Sequence, residues 1–187
     1  QTEQLLEKAA IDVTGNTEVP LGEKTISFKA PFKRLPIFDA IKEYTGFDIS
    51  RMNEEQIRSV CRQLKLHVED SMGKGKLIDE LFGAFCEKNF VQPTFIIDYP
   101  VEMSPLTKKH RHNAGLVERF ELMINGKEIA NGFSELNDPI DQRERFEHQL
   151  ELGQRGDDEA MVLDDDFLRA LEFGMPPTAG LGIGIDR

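Results

Sequence analysis

The chain has 187 residues, a formal net charge of −11 and 39% hydrophobic residues, which is enough to build the core of one domain. This acidity argues against a surface that binds nucleic acid unaided, because basic side chains supply much of that affinity. No run of 18 apolar residues occurs, and the N-terminus QTEQLLEKAA lacks a signal-peptide pattern, so we expect neither a membrane span nor export. Two cysteines, Cys61 and Cys86, form no disulfide framework and favour buried thiols in a reducing cytoplasm.

The first half of the chain is predicted to be mainly helical. The predicted elements are an amphipathic helix over residues 2–11, a short strand Thr25–Phe28, a helix Ile37–Tyr44 closed by Gly46, and two helices between Asn53 and Phe90. We interpret residues 50–92 as a small helical insertion in a larger domain.

The second half alternates strands and helices. The predicted elements are a strand in TFIIDYP (94–100), a hairpin around Asn125-Gly126, a helix opened by Pro139, a short helix between the trio Asp164–Asp166 and Gly174, and a final glycine-rich strand. The predicted fold class is therefore α+β, with a mostly antiparallel sheet flanked by helices.

The hairpin brings two glutamates together. If Asn125 and Gly126 are the turn residues, Met123 faces Glu128 and Glu121 faces Ala130, so both glutamates lie on one sheet face as diagonal neighbours. Two carboxylates about 7–8 Å apart can both reach a divalent cation between them. The alternative is a pair of solvent-facing glutamates on an edge hairpin.

The second strand of the hairpin continues into NGFSELND, which presents Asn131, Phe133 and Glu135 on alternate positions. Such a row suits a ligand with an aliphatic stem and a cationic tip, since a ring packs the stem and an acid pairs with an ammonium. The alternative is an ordinary polar face with one buried ring. Strict alternation puts Glu128 on the opposite face from this row, so a single site requires a β-bulge near Ala130.

The chain ends in AGLGIGIDR, where Gly180, Gly182 and Gly184 alternate with apolar residues. Period-two alternation predicts a strand, although glycine weakens a strand and offers nothing to pack. One face of this strand is therefore expected to be bare, and Arg187 follows it.

Taken together, these stretches resemble a known family. The segments ERFELMINGKEIANGFSELNDP, GDDEAM and GMPPTAGLGIGIDR resemble the C-terminal half of the catalytic domain of class II lysyl-tRNA synthetases, and QPTFIIDYPVEMSPL is similar to the strand and loop before them. The resemblance runs over nearly the whole chain. GLGIGIDR is similar to motif 3 of class II synthetases, and NGFSELND points to the lysine enzymes.

The resemblance implies ATP, lysine and Mg²⁺ as ligands of one site. Gly180, Gly182, Gly184 and Arg187 correspond to the ATP-binding motif, with Arg187 as the catalytic arginine at the phosphate end. Glu121 and Glu128 correspond to magnesium ligands. Asn131, Phe133 and Glu135 correspond to part of the lysine pocket. The implied reaction makes lysyl-adenylate and then transfers the lysyl group to tRNA(Lys). The resemblance also implies that the full-length enzyme is a homodimer and is cytoplasmic.

Parts of the family pattern have no counterpart in this sequence, namely motif 1, motif 2 and the anticodon-binding domain. We therefore interpret residues 1–187 as a partial catalytic domain, from after motif 2 through motif 3. The isolated chain is expected to be inactive and to bind tRNA weakly.

Three other interpretations stay open at this point. A paralogue of the same fold lysylates a protein side chain, a magnesium-dependent phosphotransferase would use the Glu121/Glu128 pair, and an acidic interaction domain would use the glycine strand only for packing. His110 and His112 are expected in a mobile basic loop near the ATP cleft, and His67 and His148 are expected to be structural or solvated. The acidic runs Asp157–Glu159 and Asp164–Asp166 are expected to be helix-start charges and solvated faces.

Overall fold

A computed structural model of the chain describes residues 1–157 and 160–187. Its helices are α1 (Thr2–Thr14), α2 (Ile37–Thr45), α3 (Glu54–Gln63), α4 (Lys74–Phe85), α5 (Pro139–Gln154) and α6 (Asp165–Glu172), with short 3-10 helices at Glu87–Asn89 and Val101–Met103. In the described part of the chain, no helix is long and apolar enough to cross a membrane.

Five strands form the main sheet, in the order β3-β4-β7-β8-β9. The strands are β1 (Glu18–Leu21), β2 (Lys24–Ser27), β3 (Lys33–Pro36), β4 (Thr94–Ile97), β5 (Lys109–His110), β6 (Asn113–Val117), β7 (Arg119–Ile124), β8 (Lys127–Ser134) and β9 (Ala179–Ile183). Among the described strands, only β3 and β4 are parallel, and the other pairs are antiparallel. The predicted α+β class with a mostly antiparallel sheet is confirmed.

Local sequence signals set several helix ends. The Asn53 side chain accepts the Gln56 amide N–H, and the Gln56 side chain accepts the Asn53 N–H, so α3 begins with a capping box. α5 begins at Pro139 as predicted, and the side chain of Asp138 caps it. Gly46 adopts a left-handed conformation with φ 81° and ends α2 at the predicted place.

The main sheet separates two hydrophobic cores. The helix-side core joins α2, α3 and α4 to one face of the sheet, and includes Ile37, Ile57, Leu77, Leu81, Ile96, Tyr99 and Met123. The strand-side core lies under the other face and includes Ile26, Phe32, Phe95, Leu122, Ile124 and Ala130. Residues of α3 and α4 thus share one core with the sheet.

Two small sheets differ from the sequence-based expectation. β2 is confirmed near Thr25–Phe28, but it pairs with β1, which was not predicted because EVPL carries a proline. The basic segment expected to be a loop contains β5 and pairs with β6 through an irregular register at Lys109/His110. Of the acidic run predicted at Asp157–Glu159, Asp158 and Glu159 lie outside the described residues. Asp164 caps α6 through its side chain, as expected.

Candidate functional site

The hairpin of β7 and β8 carries most of the candidate site. Asn125 (φ 50°) and Gly126 (φ 71°) both have positive φ, as a type I′ turn requires. Their backbone N–H groups donate to the carbonyls of Val91 and Phe90 at 3.1 and 3.0 Å. The turn is therefore tied to the segment after α4, and the predicted hairpin is confirmed.

A β-bulge interrupts the hairpin ladder at Ile129. Met123 faces Glu128 as predicted, but the next pair is Leu122 with Ala130, so Ile129 is the extra residue. The predicted pairing of Glu121 with Ala130 is wrong, because it assumed an unbroken ladder. Glu121 faces Asn131 instead.

This bulge restores one common face. Since opposite residues share a face, Asn131 lies on the side of Glu121, and Phe133 lies there too, opposite Arg119. Glu128 is on the same side because it faces Met123, two residues from Glu121. The bulge predicted near Ala130 is confirmed, and it is what brings the two predicted residue sets together.

The glycine strand β9 continues the same face. Gly182 pairs with Asn131 and Gly180 pairs with Phe133. A Cβ atom built on Gly182 would meet nothing nearer than the Asn131 carbonyl oxygen at 3.8 Å, whereas one on Gly180 would lie 2.3 Å from Oε1 of Glu135. The expected bare face therefore exists, open at Gly182 and closed by the Glu135 carboxylate at Gly180.

Glu121 is the more enclosed of the two glutamates. Its Oε2 accepts the phenolic O–H of Tyr99 at 2.8 Å, and its Oε1 accepts from the Arg119 guanidinium. Burial raises the pKa of Glu121, as does the nearby charge of Glu128, while Arg119 and Tyr99 act in the opposite direction. The strand register places Glu128 diagonally across from Glu121 on the same face.

Tyr99 is almost completely buried, with 1% of its surface exposed. Burial raises its pKa well above the usual value for a tyrosine, and the Glu121 carboxylate raises it further. Tyr99 is therefore a neutral donor that fixes one oxygen of Glu121.

Arg119 is a residue of this face that the sequence-based reasoning missed. Its guanidinium contacts Glu121, Asn131 and Ser104, and its Cζ lies 4.6 Å from the Tyr99 ring centroid. The signal that could have found it is its position two residues before Glu121, which puts a cation on the predicted site face.

The outer end of the face is more open. Arg187 donates from its guanidinium to the Glu128 carbonyl oxygen at 2.8 Å, so the chain end folds back onto the bulge. The Glu128 carboxylate makes no hydrogen bond or ion pair with any residue the structure describes. A cavity of about 430 Å³ lies here, lined by residues 128–131 and 182–187.

The predicted lysine-pocket residues lie along the inner end. Asn131 and Phe133 are half-buried, and Glu135 follows β8 with its N–H bonded to the Thr178 carbonyl at 2.9 Å. Burial raises the pKa of Glu135. The three residues come in the predicted order, and Glu135 closes the end of the row beside Gly180.

The donor chemistry at Glu121 and Glu128 suits magnesium. Mg²⁺ takes hard oxygen ligands and is usually held by one or two carboxylates together with substrate phosphates. Across residues 1–157 and 160–187, no group of three or more His, Cys, Asp or Glu is arranged to hold a metal. The glutamate pair is therefore an incomplete set of ligands of the oxygen type that Mg²⁺ takes.

Three of the histidines line cavities together with residues of this face: His110 and His112 with Phe133 and Gly180, and His148 with Arg119. His67, His112 and His148 are exposed, and the backbone N–H of His112 donates to Nδ1 of His110 at 3.2 Å. Cys61 and Cys86 are free and buried, as predicted, and burial raises the pKa of Cys86 to about 12.

Known proteins resemble the whole chain. Residues 1–187 match the family model described as tRNA synthetases class II (D, K and N). The lysine–tRNA ligase of Porphyromonas gingivalis (strain ATCC 33277) is 65% identical over 186 residues, which cover 100% of this chain and 32% of that protein. The lysine–tRNA ligases of Christiangramia forsetii and Azobacteroides pseudotrichonymphae are 63% and 61% identical, again over 100% of this chain and over 33% and 37% of their own lengths. The chain thus spans about a third of the relatives it matches.

Proposed function

Since the chain belongs to the class II (D, K and N) tRNA synthetase family, we propose that it is the part of a lysine–tRNA ligase that holds ATP, Mg²⁺ and lysine. The observation that carries this proposal is the bulge at Ile129, which puts the glutamate pair, the Asn131–Phe133 row and the bare glycine strand on one face. Relatives of 61–65% identity that are named lysine–tRNA ligases favour lysine over aspartate and asparagine.

The first step joins lysine to ATP. A carboxylate oxygen of lysine attacks the α-phosphorus, the bond to the bridging oxygen breaks, and pyrophosphate leaves. Gly182 lets the nucleotide approach the sheet backbone, because a side chain there would occupy the open space above it. Arg187 would contact the phosphate end. Alignment and charge neutralisation are the main contributions of such a site.

Glu121 and Glu128 are the proposed magnesium ligands. When bound, the ion supplies positive charge beside the ATP phosphates. Tyr99 and Arg119 hold Glu121 in place, whereas the Glu128 carboxylate has no such partner among the described residues. A pair of this kind can bind a cation whose remaining ligands come from the substrate.

Asn131, Phe133 and Glu135 are the proposed lysine contacts. The Phe133 ring would pack the aliphatic stem, and the Glu135 carboxylate would pair with the ε-ammonium group. In the second step a ribose hydroxyl of tRNA(Lys) attacks the lysyl carbonyl carbon and AMP leaves. We also propose the homodimeric state and the cytoplasmic location of such ligases, a partial catalytic domain over 1–187, and a helical insertion at 50–92.

The test is lysine-dependent ATP–pyrophosphate exchange by the full-length protein that contains this chain, followed by lysylation of tRNA(Lys). Both activities are expected, with Glu135→Gln strongly reducing the use of lysine. Exchange driven by aspartate or asparagine, or transfer of lysine to a protein instead of tRNA, would contradict the proposal. The isolated chain is expected to show no exchange, and robust activity from it would overturn that part.

A further inference from the structure

Arg119 is a mostly buried cation in the middle of the site face. Its side chain is 16% exposed, and it lies two residues from Glu121 and directly opposite Phe133. Burying a charge is costly unless it is paired and hydrogen-bonded. The neighbours of Arg119 must therefore balance its charge and accept its hydrogen bonds.

All three guanidinium nitrogens have partners. One terminal nitrogen donates to Oε1 of Glu121, and Nε donates to Oδ1 of Asn131 at 3.3 Å. The other terminal nitrogen donates to the Met103 carbonyl at 3.0 Å and to Oγ of Ser104 at 2.8 Å. A rigid fork thus joins the inner glutamate and the pocket amide to the loop after β4.

The contact with Asn131 determines how that amide points. Because a guanidinium only donates, the atom of Asn131 that faces Arg119 must be its oxygen. The NH₂ group of Asn131, with two donors, is then directed away from Arg119. Asn131 is consequently prepared to donate to an anionic group of a ligand, such as the carboxylate of an amino acid.

The contact with Glu121 determines which carboxylate positions remain available. One oxygen accepts from Arg119 and the other from Tyr99, and each carboxylate oxygen has about two acceptor positions. Each oxygen thus keeps one acceptor position for a cation. The carboxylate plane is fixed before any metal arrives.

We propose that Arg119 is a positioning residue that couples the two halves of the site: it orients Glu121 for the metal and Asn131 for the amino-acid carboxylate. This inference rests on the proposed function. Lysine cannot replace Arg119, because an ammonium group is a compact point charge and cannot span four partners as a planar fork does. The Tyr99 hydroxyl serves only the metal half, since it contacts Glu121 alone among the site residues, and Tyr99→Phe removes it while keeping the ring beside Arg119.

The experiment uses the full-length protein that contains this chain and compares four variants: Arg119→Lys, Arg119→Met, Tyr99→Phe and the control Arg143→Met. Arg143 is an arginine on α5 that pairs with Asp165 at 3.4 Å and is away from the site. Lysine binding is measured by calorimetry without ATP or Mg²⁺, and exchange is measured against both lysine and Mg²⁺.

Both Arg119 variants are expected to weaken lysine binding about tenfold or more and to raise the Mg²⁺ concentration for half-maximal exchange. Tyr99→Phe is expected to raise the Mg²⁺ requirement only, and Arg143→Met to change neither quantity. A general loss of stability would not weaken lysine binding in the Arg119 variants and leave it unchanged in Tyr99→Phe. Thermal unfolding of each variant measures stability separately.

Two outcomes overturn the inference: Arg119 variants that bind lysine as the wild type does, or that lose activity only in proportion to lost folded protein. Either result leaves the proposed function intact as long as the wild type exchanges pyrophosphate in a lysine-dependent way. Absence of lysine-dependent exchange by the wild type contradicts the proposed function itself. Calorimetry of lysine binding then still decides the role of Arg119 toward Asn131.

Discussion

Glu121 and Glu128 lie on the same face of one hairpin, yet their surroundings differ. Glu121 is enclosed by Tyr99 and Arg119, and its side chain is 15% exposed. Glu128 has no side-chain partner among the described residues and borders the open cavity next to Arg187. Residues of this chain hold the carboxylate of Glu121 in place, whereas the surroundings of Glu128 are left for ligands to complete. Four changes can break or sharpen this contrast.

The largest effect is expected from Gly182→Val, which fills the open face. A Cβ atom here meets only the Asn131 carbonyl at 3.8 Å, and β-branched residues suit strands, so the stability of the fold should be retained. Loss of close nucleotide approach is expected to reduce ATP–pyrophosphate exchange about 100-fold, equivalent to about 3 kcal/mol. Leu181→Val, on the other face of β9, is the control. Normal ATP use by Gly182→Val would show that the bare face has no role toward the nucleotide.

Next comes Glu121→Gln compared with Glu128→Gln. Removing the Glu121 charge leaves Arg119 without its ion pair in a mostly buried place, so unfolding free energy should fall by about 1–3 kcal/mol. Glu128→Gln should leave it nearly unchanged, because Glu128 has no such partner in the described chain. Urea denaturation of the two variants measures the difference. Equal destabilisation would contradict the distinction between an enclosed and an open end.

A smaller effect concerns the pH dependence of lysine binding. Burial raises the pKa of Glu135, so its carboxyl group becomes neutral at a higher pH than an exposed glutamate. Lysine affinity should therefore rise with pH until it passes this raised pKa and then level off, since only the ionised form pairs with the ammonium. The same raised pKa means that Glu135 favours the folded state at acid pH, and that this contribution is lost as pH rises through the folded value.

Calorimetric titration of lysine at a series of pH values, from below the usual pKa of a glutamate carboxyl group to well above it, measures this dependence. Glu135→Gln should bind lysine more weakly and without the acid-side loss. A wild-type affinity that does not change with pH, or a Gln variant with the same acid-side loss, would assign the titration to another group.

The smallest effect is expected from Asn125→Ala in the turn. Asn125 has φ 50°, and alanine tolerates this left-handed region less well, which costs about 1 kcal/mol. Its side chain also accepts a hydrogen bond from Lys24 at 3.1 Å. The thermal unfolding temperature should fall slightly. Lysine affinity should stay the same, because the site contacts of Arg119 and Asn131 are remote from the turn. If Asn125→Ala also weakens lysine binding, the turn and the lysine pocket are coupled.

Much of the fold follows from local patterns. The capping box at Asn53, the proline at the start of α5 and the Asn-Gly turn each act through neighbouring residues, so each is readable from the sequence. β1 and the β5–β6 pair were missed because these strands have only two to five residues, too few for a clear alternating pattern, and β1 also carries Pro20.

The candidate site was predicted in part. The sequence by itself determined which residues alternate along β8 and β9, and it required an extra residue near Ala130 if they were to share a face. Only the tertiary structure decided that Ile129 is this residue, that Glu121 therefore faces Asn131, and that Arg119 joins them. The physical reason is that a bulge and a buried guanidinium depend on contacts across strands, which spacing along one strand does not specify.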